Sequence, residues 1–165
     1  MSKLGDKHVP KIEYFEPGLL QDEELSLHLE QFVAADPKKD YLPAYYFQMI
    51  HQPTKAVMGK INFRAGNTAN IVLYRGHIGY SVQAEFRGHH YAARSVKLLL
   101  PLAIHYQLEP LWITCNPENA ASRRTCELVG AKLVEIINIP PDEDMYHQGI
   151  RQKCRYRLSL SAFSR

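Results

Sequence analysis

The chain is short of the features that would set it apart from ordinary globular proteins. It holds three cysteines, Cys115, Cys126 and Cys154, with no Cys-x-x-Cys pair. An odd and scattered set provides neither a disulfide framework nor a four-thiolate zinc site, so buried free thiols are expected. No apolar run approaches the roughly 18 to 20 residues that span a bilayer. The opening Met1-Ser2-Lys3-Leu4-Gly5-Asp6 lacks the apolar stretch of a signal peptide. A cytoplasmic location with no membrane partner is therefore expected. Charge of one sign is scarce as well: 20 Lys plus Arg against 17 Asp plus Glu leave a formal +3, short of the concentrated basic face that nucleic acid requires. No repeat, low-complexity tract or Ser/Gly linker interrupts the sequence. What remains is 165 residues, 45% of them hydrophobic, which suits a single domain over 1–165 with one sizeable core.

Periodicity outlines a mixed α/β order. A short strand is expected around Ile12 to Phe15. Asp22-Glu23-Glu24 reads as a helix start, with Leu25, Leu29, Phe32 and Val33 at helical spacing as far as Asp36-Pro37. From Tyr45 to Val82 the texture is alternating: Val57, Gly59, Ile61 and Phe63, then Ile78, Tyr80 and Val82, as in successive antiparallel strands. Ala92, Val96, Leu99, Leu100 and Ala103 form one stripe of a helix from about His89 to Tyr106, which Pro101 should kink or restart. Leu111 to Cys115 suits a buried strand. Asn116 as N-cap and Pro117 at the first helical position then open a helix with Ala121, Thr125 and Leu128 on one face, closed by Gly130. Leu133 to Ile139 is a further strand, Pro140 to Gly149 an acidic loop, and Cys154, Tyr156, Leu158 and Leu160 alternate in a last strand. This order makes Ile78–Val82 and Leu111–Cys115 parallel neighbours across the first of those two helices.

The chemistry concentrates in Ile78 to Ala92, a strand that turns into a helix. Backbone N–H groups at a helix N-terminus have no intrahelical partner and, with the helix dipole, favour phosphate oxygens. Arg87 adds a fixed charge, Gly88 admits close approach, and Ala92 keeps the first turn low. Neither a P-loop nor a dinucleotide fingerprint is present, so the phosphate belongs to another kind of ligand.

At this point the sequence resembles the GNAT superfamily of acetyl-CoA-dependent N-acetyltransferases, whose signature is Arg or Gln, two residues, Gly, one residue, then Gly or Ala. Arg87 and Ala92 match its ends, and His90 stands where the family usually has its second Gly. Asn119-Ala120-Ala121-Ser122-Arg123-Arg124 and the later Gly130 resemble the family's next helix, and the likeness extends from about Val57 to Arg157. It implies a mixed, mostly antiparallel central sheet flanked by helices, with a V-shaped splay between two parallel central strands. It also implies acetyl-CoA as acetyl donor, its pantetheine arm beside Tyr80, Ser81 and Val82. Pyrophosphate would rest on Arg87, Gly88, His89, His90, Tyr91 and Ala92, with Asn119 and Ser122 touching from the later helix. The reaction implied is direct attack of a primary amine, on a small molecule or a protein N-terminus, with strand N–H groups polarising the carbonyl.

Many relatives carry a Tyr acid seven residues after the Asn, and here that slot is Cys126. Packing is the preferred reading of this thiol, and the pattern without Tyr is similar to the branch of ribosomal-protein N-terminal acetyltransferases. Tyr146 in the acidic loop and His77 before the strand are the other proton-transfer candidates, each also readable as a loop aromatic or a turn histidine. The substitutions at 90 and 126 leave a second reading, a non-catalytic acyl-CoA-binding or sensor domain. His89 and His90 with His105 invite a metal, but His105 lies 15 residues on, about four helical turns, and no metal is called for. Tyr41, Tyr45 and Tyr46 are candidates for an acceptor pocket. The C-terminal strand pair offers a homodimer surface.

Overall fold

Alternating strands build two antiparallel sheets, seen here in a computed structural model that describes residues 14–36 and 42–163. The first sheet is a meander in which each strand bonds to the next: β1 (Leu20–Asp22), β2 (Leu25–Val33), β3 (Ala44–His51), β4 (Ala56–Arg64) and β5 (Ile78–Val82). The second sheet comprises β6 (Leu111–Cys115), β7 (Lys132–Asn138) and β8 (Gln152–Leu158) in the order β6-β8-β7. Helix α1 (Tyr91–His105) joins the sheets, α2 (Ala120–Leu128) follows β6, and the single-turn α3 (Asp144–His147) interrupts the acidic loop. One core runs through both halves: Met49, Ile61 and Phe63 meet Val96 and Leu99 of α1 and Ile113 and Tyr156 of the second sheet.

Strands β5 and β6 touch at their N-terminal ends. The His77 N–H donates to the Trp112 carbonyl at 2.7 Å, and the Trp112 N–H donates to Nδ1 of His77 at 2.9 Å. No ladder continues from there among the described residues, so the two parallel strands diverge toward their C-terminal ends. This is the splay expected from the sequence.

The N-terminal helix is the main correction. Residues 20–33 form the β1–β2 hairpin, turning at Glu23, whose φ is +52°. Leu25 and Leu27 face the core, then the pairing with β3 slips between Leu29 and Gln31, and Phe32 turns inward instead of Leu29 or Gln31. That bulge advances the alternation by one residue and imitates a helical period. Pairing along all of β3 then outweighs local propensity. Of the strand expected around Ile12 to Phe15, residues 12 and 13 lie outside the described residues, and Tyr14 and Phe15 are not in a strand.

Asp22 and Glu24 cap no helix. They clamp Arg94 of α1, with Nε to Asp22 Oδ2 at 2.6 Å and Nη1 to Glu24 Oε1 at 2.7 Å. The bond from Arg94 holds the Glu24 carboxyl down at about 2. Its contribution to stability is present above the ordinary carboxylate range and is lost as pH falls through about 2. Replacing Arg94 with Ala strands two carboxylates at the hairpin; partial exposure screens them, so a loss of about 2 kcal/mol is expected in urea unfolding. A loss within error would show that the clamp is incidental.

Helix α1 runs through Pro101 without a break. Pro101 and Lys97 both lie on the exposed side, so the Lys97 carbonyl that loses its partner turns to water. The expected stripe of Ala92, Val96, Leu99, Leu100 and Ala103 is buried. In α2 the buried row is Ser122, Cys126 and Val129, one residue on from the row expected. The N-cap is Asn119, whose Oδ1 accepts from the Ser122 N–H at 3.1 Å, and not Asn116. Gly130, at φ +88°, closes α2 as expected: its N–H bonds the Glu127 carbonyl, and that of Ala131 bonds Cys126.

Candidate functional site

Beyond β5 the chain makes a short turn at Ala84–Phe86, and Arg87 folds back so that its Nε donates to the Val82 carbonyl at 3.0 Å. Gly88 then takes φ +94°, a conformation costly for any residue with a Cβ. His90, the N-cap of α1, is left-handed at φ 60° and ψ 28°. A glycine adopts this geometry freely, whereas histidine visits it at a cost of about 1 kcal/mol. No side chain caps α1, so the first-turn amides keep their donors for a ligand. A Cβ built on Gly88 meets nothing within 4 Å; the space in front of it is open.

That space is one end of a groove of about 440 Å³ between β5, the α1 N-terminus and α2. Ala121, Thr125 and Leu128, the row expected on one face of the helix, form its α2 wall. Tyr80, Ser81, Val82, Arg87, Gly88, His90, Tyr91, Ala92, Asn119 and Ser122 all line it. His89 does not; it is exposed, with its ring 5.5 Å from that of Tyr91. The backbone of the turn, the low Ala92 and the open face at Gly88 fit an extended ligand with a diphosphate at one end.

At the other end the Tyr80 side chain crosses the splay. Its hydroxyl hydrogen-bonds Ser122 Oγ at 2.9 Å and reaches Cys126 Sγ at 3.9 Å. Burial pushes the Tyr80 phenol well above its ordinary value, so it stays protonated. The three thiols, distant in sequence, gather behind it: Cys115 is paired with Cys154 across β6 and β8, and Cys126 lies against Cys115 from α2. Donation to Cys115, together with burial, pushes the Cys126 thiol up, and acceptance of that bond holds Cys115 down. Cys126 is fully buried and lines no cavity described here, whereas Cys115 reaches one.

That second cavity, of about 470 Å³, shares Tyr80, Asn119 and Ser122 with the groove and continues it through the splay. Gly79, Thr114 and Asn116 belong to its wall, as do Arg64, Arg75 and Lys153. Asn116 keeps its Oδ1 buried and without a partner among the described residues. Apart from Tyr80, Asn119 and Ser122, the sequence reading missed this cavity's residues, because they come from six separate segments that only the topology unites. Position at the C-terminal end of β6 was the one available signal, for Thr114, Cys115 and Asn116.

The remaining candidates lie elsewhere. His77 is fully buried, with Nδ1 accepting from Trp112 and Nε2 donating to Asn67 Oδ1 at 2.8 Å. It has no lone pair left for a general base and lines neither cavity. Tyr146 stacks under the Arg151 guanidinium, 3.7 Å from the ring centre. Its neighbours Met145 and Asp144 line the second cavity and it does not. Tyr45 is core, bonded to Tyr106 through its hydroxyl. Tyr46 of β3 is exposed and lines, with Gly79, Tyr80 and Ser81 of β5, a further cavity of about 520 Å³, and Tyr41 lies outside the described residues.

A family model described as an acetyltransferase (GNAT) domain matches residues 4–132. No curated protein sequence gives a match. Among solved structures, the ribosomal-protein-S5-alanine acetyltransferase from Vibrio fischeri has a TM-score of 0.57 at 15% identity, over 74% of this chain and 64% of that one. This chain thus spans less than two thirds of that protein's length. The microcin C7 self-immunity acetyltransferase, in complex with acetyl-CoA and AMP, scores 0.54 at 16% identity over 70% of this chain and 61% of its own. A ribosomal L7/L12 α-N-protein acetyltransferase in complex with coenzyme A scores 0.56 at 19% identity, covering 76% and 66%. At such identities the likeness is one of fold.

Proposed function

Because this chain belongs to the GNAT acetyltransferase family, we propose that it transfers the acetyl group of acetyl-CoA to a primary amine of a small molecule or a protein N-terminus, with residues 1–165 acting as one domain. The observation that carries this reading is the uncapped N-terminus of α1, with left-handed Gly88 and His90, opening on a groove that passes through the splay beside Tyr80. Solved proteins of the same fold hold acetyl-CoA or coenzyme A.

In this reading Arg87 to Ala92 receive the diphosphate, and the free edge of β5 from Tyr80 to Val82 aligns the pantetheine arm. The thioester reaches the head of the splay, where β5 N–H groups stabilise the oxygen as charge develops. A neutral amine attacks from the second cavity, its proton passing to water. The departing thiolate takes a proton from solvent that enters the same cavity, so no covalent intermediate on the protein is required.

The Cys126 thiol is too buried to meet the leaving group. Cys126→Ala is accordingly expected to keep turnover within about threefold of the parent, and a loss of a hundredfold or more, on the scale of a missing general acid, would overturn this. The proposal itself is tested by calorimetric titration with acetyl-CoA, followed by thiol release in the presence of a pool of amines and peptides. Binding with acceptor-dependent release is expected. Binding without release from any acceptor would favour the non-catalytic acyl-CoA-binding reading, which the buried Cys126 motivates. Absence of binding would refute both. The exposed Leu133, Val134 and Ile136 on β7, an edge strand, support the C-terminal sheet as a homodimer surface.

A further inference from the structure

The second cavity holds three cations, none of which forms a salt bridge among the described residues. Arg64 is largely buried, and its Nη1 donates only to the Gly76 carbonyl, at 3.1 Å. Arg75, on the helical turn 71–75, is exposed and has no hydrogen bond or ion pair among the described residues. Lys153 of β8 is half-buried and also lacks an ion pair among the described residues, although Cys115 and Glu118 lie near enough to favour its charge. The cavity's two carboxylates, Glu143 and Asp144, make no ion pair with any of them, and Glu143 accepts from Asn70 Nδ2 at 2.9 Å. Two other partly buried cations do have carboxylate partners, Arg94 with Asp22 and Glu24 and Arg155 with Glu135, while Arg123 is held by the Tyr156 hydroxyl and the Pro117 carbonyl.

Unmatched cations around one cavity are costly. Burial, with the neighbouring Arg75, pushes the Arg64 guanidinium down to about 10, and burial also pushes Lys153 down. A fold keeps such groups when a ligand supplies the missing charge. The diphosphate cradle cannot be that source, because it lies at the other end of the groove, beside Arg87 and Gly88. Resting on the reading of this site as an acetyltransferase, we infer that the amine acceptor carries a carboxylate or phosphate group held by Arg64, Arg75 and Lys153. Arg64 lies nearest the reacting strand, with Nη1 3.8 Å from where a Cβ on Gly79 would stand. Both signs of charge are therefore available to a zwitterion: the three cations for its anion, Glu143 and Asp144 for its ammonium before the proton is lost.

The test uses matched probes that differ in one anionic group. O-phosphoethanolamine against ethanolamine reports on phosphate, and the dipeptide amides Ala-Glu against Ala-Gln report on carboxylate and on a peptide acceptor. Each is titrated calorimetrically into the protein alone and into the protein saturated with coenzyme A, and acetyl-CoA is titrated separately. At least one anionic probe is expected to bind about tenfold or more tighter than its neutral partner. Arg75→Glu, at an exposed position with no structural bond to lose, should abolish that preference and leave acetyl-CoA affinity within about twofold. Lys153→Gln should weaken the same probe in the same direction. Equal binding within both pairs, or no binding of either anionic probe up to about 10 mM, overturns the inference. So does an Arg75→Glu protein that loses acetyl-CoA affinity in step with the probe, since the cations would then serve the donor. Failure of the parent protein to bind acetyl-CoA while the anion preference persists would refute the donor assignment and leave the anion site standing.

Discussion

Gly88→Glu is expected to weaken acetyl-CoA binding by about a hundredfold or more, roughly 2.7 kcal/mol. The open space in front of Gly88 would receive a carboxylate where the diphosphate is to lie, and like charges a few ångströms apart repel by some kcal/mol at a protein surface. The φ of +94° adds a second effect: any side chain at 88 strains the backbone, at about 1 kcal/mol of folding stability. Gly88→Ala carries that strain without the charge, so the difference between the two variants isolates the electrostatic effect. Calorimetry on both, with urea midpoints as a control for folding, reads it directly. If Gly88→Glu binds as tightly as Gly88→Ala, the diphosphate does not lie here.

Acid is expected to destabilise this protein through His77 before most carboxylates titrate. Burial, with Arg64 adding to it, pushes the His77 imidazole down to about 4 from 6.5. Geometry agrees, because a proton on Nδ1 would face the Trp112 N–H that now donates to it. The unfolded chain takes up this proton near pH 6.5 and the folded one only near 4. Folding therefore binds fewer protons in that window, and stability rises with pH across it. The contribution is complete above about 6.5, falls as pH drops, and levels off near 4 after a loss of roughly 3 kcal/mol. His77→Gln starts less stable at neutral pH but should show a shallower decline. Urea unfolding of both proteins between about pH 7 and pH 4 measures the two slopes, and parallel slopes would remove His77 from the account.

Legibility in the sequence followed how local the determining interactions are. The β6 boundaries were readable from five consecutive residues, Leu111 to Cys115, and the α1 stripe from a helical period that packing left intact. Gly130 was readable because its left-handed role in closing a helix is local. The strand-to-helix turn at 84–90 was readable for the same reason, and His90 there takes the left-handed geometry that glycine adopts freely. The β1–β2 hairpin was not readable, since a single bulge disguised its alternation. The N-cap of α2 was misplaced by one helical turn because Asn116 and Asn119 are both good caps, and the intervening turn, closed by the Asn119 N–H on the Asn116 carbonyl, selects the later one. The cations of the second cavity and the bridging Tyr80 hydroxyl depend on contacts between distant segments, which no window along the chain contains.

The junction of β5 and β6 at His77 and Trp112 also sets the order in which the molecule comes apart. The meander β1 to β5 is a string of nearest-neighbour pairings, and its β2–β3 and β3–β4 contacts are the densest in the protein; such local contacts form early and break late. Among the described residues the second sheet bonds to this half at His77–Trp112 and at the turn 71–75, where Thr114 donates to the Tyr74 carbonyl and Arg155 to the Val72 carbonyl, all at one end, so excursions from the native state should begin by parting the two sheets along the splay. The groove beside Gly88 runs along that same line. A ligand lying in it, bonded to β5 on one side and α2 on the other, would act as a stitch between the halves, and amide exchange at Trp112 would slow with the ligand's residence time although Trp112 does not line the groove.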